Sequence, residues 1–145
     1  MNPRGFTLVE LLVVMTIVAV LAVLAVRVLG NLVPDSQLAL ETESVVTMLR
    51  SAQAKTLSGE ADDVWGVYLT SSDATVFLGA SYAGRDSAYD QLLVFSDTVS
   101  ASGLAEIVFE ERTGKTTNTG TITLSSDVTN ESTTITINAQ GMISQ

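Results

Sequence analysis

Residues Phe6 to Val26 form a run of 21 residues whose only polar members are Thr7, Glu10 and Thr16. As a helix this run extends about 31 Å at ~1.5 Å per residue. That matches the ~30 Å hydrocarbon core of a bilayer, and Arg27 closes the run. A buried helix of a soluble core is a poor reading, because the run is too long and too uniformly apolar for a chain of 145 residues. A secretory signal peptide wants a basic start, about 7–15 apolar residues and a small-residue cleavage site. Only weak substitutes for that site follow, in Val20-Leu21-Ala22 and Val23-Leu24-Ala25. A membrane-spanning helix that stays on the protein is the leading expectation. Arg4 ahead of the span favours a cytoplasmic N-terminus. The 118 residues from Val28 to Gln145 then lie outside, with 5 basic and 15 acidic side chains and a net charge of −10.

The chain has no Cys and no His. A Cys/His zinc site, a thiol nucleophile, a disulfide framework and a Ser-His-Asp triad are therefore excluded. Without a nucleophile–base pair an enzyme is not expected. The overall charge of −9 argues against a nucleic-acid partner, which calls for a basic face.

After Gly30, Asn31 and Pro34 a second helical pattern begins, with Ser36 as a plausible N-cap and Glu41 and Glu43 near its positive end. Leu38, Val45, Leu49 and Ala52 recur at helical spacing, with Glu41, Arg50 and Lys55 off that stripe. Gly59 is a natural stop. Pro34 deletes the hydrogen bond to Gly30, so a kink or an unwound turn is expected there. From about Val64 the period changes to two. Strands are expected at Val64–Thr70, Ala74–Ala80, Ala105–Glu110, Thr121–Leu124 and Thr134–Ile137, with Ser71-Ser72-Asp73 as a turn and Ser81–Tyr89 as a loop. Ten threonines between Thr113 and Thr136 read as a solvated sheet face. The fold class expected is α+β, a long N-terminal helix packed on a small antiparallel head.

Glu10 does not belong in a lipid-facing run. A central acidic side chain costs about 2.5–3.5 kcal/mol on insertion scales, and less near the end. Either it reaches the headgroups, or it has a cationic partner inside an assembly.

The string Arg4-Gly5-Phe6-Thr7-Leu8-Val9-Glu10-Leu11-Leu12, at the extreme N-terminus behind a short basic leader, resembles the processing motif of type IV prepilins and type II secretion pseudopilins. Arg50-Ser51-Ala52-Gln53-Ala54 followed by Trp65-Gly66-Val67-Tyr68 is similar to heads of the minor-pilin and secretion-protein-H type. The resemblance implies a structural filament subunit. It implies cleavage between Gly5 and Phe6 by a prepilin peptidase, methylation of the new Phe6 amine, and storage in the inner or cytoplasmic membrane with the head outside. It further implies transfer into an extracellular or periplasmic filament with other pilin or pseudopilin subunits, where Glu10 pairs with the Phe6 amine of a neighbour. The domains expected are a leader at 1–5, a membrane and filament-core helix at 6–29, an amphipathic helix at 30–58 and a β-rich head at 59–145. The chain lacks the C-terminal disulfide loop of many major pilins and has Arg27 where many carry a proline, so it departs from a typical major pilin. The alternative is a bitopic membrane protein with an exported binding or adhesion head that never polymerises.

Asp62-Asp63 and Asp86 with Asp90 are too few for a hard-cation site, which needs six to eight oxygens, so neither a metal nor a cofactor is expected. Arg112 and Lys115 sit among acidic neighbours that cancel a DNA-directed field. Asn130-Glu131-Ser132 matches the glycosylation sequon. Trp65 and Tyr68 read as core and sheet-surface residues.

Overall fold

The structure, a computed structural model, describes residues 7–145, with the side chains of residues 24–36 outside the description. The chain divides into two units, Met1–Val33 and Pro34–Gln145. Helix α1 is assigned from Leu8 to Ser58, so its first part belongs to one unit and its last part to the other. Gly30, Pro34 and Ser36, where the kink and the cap are expected, carry a helical assignment but are otherwise outside the description.

Within the second unit, α1 buries the stripe read from its spacing: Leu38, Val45, Leu49 and Ala52 are all inside, joined by Val46. Two threonines on that face, Thr42 and Thr56, are buried and satisfied, because each hydroxyl donates to the carbonyl four residues back. The helix stops at Ser58. Gly59 follows at φ +70°, the left-handed conformation that ends helices at little cost for glycine.

Eight strands follow: β1 (Trp65–Leu69), β2 (Asp73–Leu78), β3 (Asp86–Val94), β4 (Val99–Gly103), β5 (Glu106–Val108), β6 (Gly120–Ser126), β7 (Ser132–Ile137) and β8 (Ile143–Ser144). They form two four-stranded antiparallel sheets rather than one small sheet, in the orders β3-β2-β1-β5 and β4-β6-β7-β8. One core joins them: the helix stripe packs with Trp65, Val67 and Leu69 of the first sheet and with Ile122, Leu124, Ile135 and Ile137 of the second. The threonine face is as expected. Thr121 lies opposite Thr136 and Thr123 opposite Thr134, on the side away from the buried isoleucines.

The loop expected at Ser81–Tyr89 is corrected. A short 3-10 turn, Tyr82–Gly84, is capped by Ser81, whose Oγ accepts the Gly84 N–H at 3.3 Å. From Asp86 onward the chain is strand β3. The reason is burial: β3 is exposed over most of its length, so no alternation marks it. Gly66 is also buried, although it occupies an outward position of β1. The Phe77 ring lies against it, and a Cβ at Gly66 would stand 2.6 Å from that ring.

Candidate assembly site

Within the first unit, α1 is apolar on every described face. From Leu8 to Val23 its large side chains are 52% to 77% exposed. A helix that is hydrophobic all round has no solvated side, so lipid or other protein must cover it. Among the described residues no helix is long and apolar enough to cross a membrane. The described part of the run ends at Val23, before the sequence run ends at Val26.

The three polar side chains of this segment have different fates. Thr7 is the N-cap: its Oγ1 accepts the Glu10 N–H at 3.2 Å, and its carbonyl accepts the Leu11 N–H at 3.2 Å. Thr16 donates back to the Leu12 carbonyl at 2.6 Å and lies 3.0 Å from that of Val13, so it spends its polarity inside the helix. Glu10 alone remains. Its carboxylate has no hydrogen bond or ion pair among the described residues. It sits at the third helical position, where the positive end of the helix dipole favours a negative charge. Thr7-x-x-Glu10 is a capping-box spacing, which is the sequence signal for the role of Thr7. Gly5 and Phe6 lie outside the described residues.

Of the weaker acidic candidates in the head, Asp63, Asp86 and Asp90 have partners, whereas the Asp62 carboxylate has no hydrogen bond or ion pair among the described residues. Asp90 takes both its oxygens to Arg85 Nε, at 2.8 and 3.1 Å. That bond raises the Arg85 pKa above its ordinary value; partial desolvation opposes the shift, and the charges of Asp90 and Tyr82 add to it. Asp86 and Asp63 accept backbone N–H groups of Ala88 and Val64. Among the described residues no group of three or more acidic side chains is placed to hold a metal. Trp65 is core: its Nε1 donates to the Glu60 carbonyl at 3.0 Å, and Lys55 Nζ lies 4.0 Å over its ring. Tyr68 stacks on Tyr82 at 4.0 Å on the outer face of the first sheet. Asn130 stands at φ +57° in the β6–β7 turn, exposed.

Residues 1–26 match the model of the prokaryotic N-terminal methylation motif. This is the signature of type IV pilin-like and pseudopilin precursors, a class of structural subunits rather than enzymes. No curated protein and no solved structure matches the chain.

Proposed function

We propose that this protein is a prepilin-like structural subunit, a minor pilin or pseudopilin, of a type IV pilus or type II secretion filament. The observation that carries the reading is the methylation motif over residues 1–26. The all-round apolar helix and its carboxylate at Glu10, unpartnered among the described residues, support it. On this reading a prepilin peptidase cuts between Gly5 and Phe6, and the Phe6 amine is methylated. The subunit is held in the inner or cytoplasmic membrane by one span, residues 6–29, with the head outside. It then enters a filament with other subunits. There Glu10 pairs with the Phe6 amine of a neighbour. The pairing is physically coherent, because either charge alone in an apolar core is costly, whereas a matched pair is tolerated and sets register.

Co-expression with a prepilin peptidase tests the processing step. Intact-mass measurement should show loss of residues 1–5 and a methylated Phe6 terminus. Gly5→Val should leave full-length precursor in the membrane, since a bulky side chain stands beside the scissile bond. An intact mass for the unmodified chain, loss of about 25 residues, or a normal Phe6 terminus in Gly5→Val would each count against the reading.

A further inference from the structure

A β-sheet edge exposes backbone donors and acceptors, and natural proteins blunt most of them. Three of the four edges in this head are blunted. On β4 the Ala101 N–H donates to the Ser71 carbonyl at 3.1 Å. On β5 the Val108 carbonyl accepts the Thr116 hydroxyl at 2.7 Å. Strand β8 is two residues long. The fourth edge, β3, pairs only with β2 and runs for nine residues.

Its register shows which groups are open. The Phe95 N–H donates to the Ser72 carbonyl at 2.9 Å, one step beyond the Asp73–Val94 pair. Inward bonding alternates along an antiparallel ladder. Leu93 and Gln91 therefore bond toward β2, and Leu92 and Val94 present N–H and C=O to the open side. The register shift lies toward the other end of the strand, between Val76 and Leu78. Residues 91–94 are Gln-Leu-Leu-Val, with no charge and no proline to deter pairing. Leu92 and Val94 are 65% and 67% exposed.

Beside this edge runs a groove of about 420 Å³, walled by Leu40, Glu43, Ser44, Thr47 and Met48 of α1 and by Gln91 to Leu93. The Ser96 N–H bonds Glu41 Oε1 at 2.9 Å, which ties helix to strand at one end of the groove. A strand added about 4.8 Å outside β3 would lie over this groove. Its inward side chains would meet Leu40 and Met48, and its outward ones would flank Leu92 and Val94.

We propose that the groove between α1 and β3 binds an extended basic–apolar segment of another protein, which adds a fifth strand to the first sheet. Backbone bonds to Leu92 and Val94 hold the strand, alternate apolar side chains fill the groove, and a Lys or Arg meets Glu43. Charge selects the occupant. Residues 34–145 carry 15 acidic and 5 basic side chains, so a second copy brings like charge to the edge. A β3-to-β3 pair would also close into a two-fold dimer.

The test uses the full chain in detergent micelles and a fluorescein-labelled ten-residue peptide alternating valine with lysine and threonine, read by anisotropy. Saturable, salt-weakened binding is expected. Leu92→Pro removes one outward donor and leaves the β2 ladder intact, a placement edge strands tolerate. It should weaken binding about tenfold. A peptide N-methylated on alternate amides should lose a similar factor against the unaltered protein, which keeps the test decisive if Leu92→Pro fails to fold. Glu43→Gln should weaken binding and flatten its salt dependence. No saturation by 1 mM peptide would overturn the proposal, as would equal affinity for the N-methylated peptide. Dimerisation of the chain that Leu92→Pro abolishes would overturn the choice of occupant.

Discussion

Gln53 ties the helix to two distant loops, and its removal has a calculable cost. Its Nε2 donates to the Gly114 carbonyl at 2.7 Å and to the Gly141 carbonyl at 2.9 Å. Both glycines are buried. Gln53→Leu keeps most of the volume and removes both donors, leaving two buried acceptors without partners. Each such loss costs about 1–3 kcal/mol, and the partial exposure of Gln53 favours the lower half of that range. A total of about 2–4 kcal/mol follows, a large part of the ~5–15 kcal/mol that holds a typical domain. At about 4 °C per kcal/mol for a domain of this size, the melting midpoint should fall by roughly 8–16 °C. Thermal melts of the full chain in detergent, followed by circular dichroism in the β-sheet band, read this directly. A fall of less than ~3 °C would mean that water or a rearranged loop replaces the amide, and would refute the reasoning.

Gly141→Ala should be at least as damaging. The position lies at φ +73°, and a Cβ there collides with the Gly114 carbonyl oxygen and stands 2.5 Å from Gln53 Nε2; the same melt measures it. A fragment from Gly30 onward should be soluble, monomeric and rich in both helix and strand, because residues 37–58 bring their own apolar stripe to the two sheets. Aggregation of that fragment under native conditions would contradict this packing.

Much of the head could be read from periodicity because its faces differ sharply in polarity. The helix stripe of Leu38, Val45, Leu49 and Ala52 stands at a spacing that only one face of a helix produces, and all four are buried. In Ile107 and Phe109, and in the Thr-Ile-Thr repeats of β6 and β7, alternation survives because one side is core and the other water. Where that contrast fails, the strand cannot be seen. β3 is exposed on most of its positions, and β4, Val-Ser-Ala-Ser-Gly, uses residues too small to announce a face. The division into two sheets is illegible in the sequence for the same reason, since it depends on where β3 and β4 pair.

At the candidate assembly site, Glu10 stands out because a carboxylate in an apolar run has few physical excuses. The structure adds that Thr7 and Thr16 satisfy themselves within the helix. The open edge of β3 was illegible. An unpaired ladder is a property of the sheet order, and no residue type in Gln91 to Val94 encodes it.

The most direct measurement is the amount of Glu10→Ala subunit in sheared filaments. It is compared with wild type in cells whose membrane fraction is analysed in parallel. Removing the charge makes insertion no harder, and cleavage four residues upstream should proceed. Pairing with a neighbour's Phe6 amine predicts a cleaved, membrane-resident subunit that is absent from the filament fraction, because breaking such a buried pair costs about 3–5 kcal/mol. Glu10→Gln should fail in the same way. Glu10→Ala subunit recovered from filaments in wild-type amounts would contradict the account.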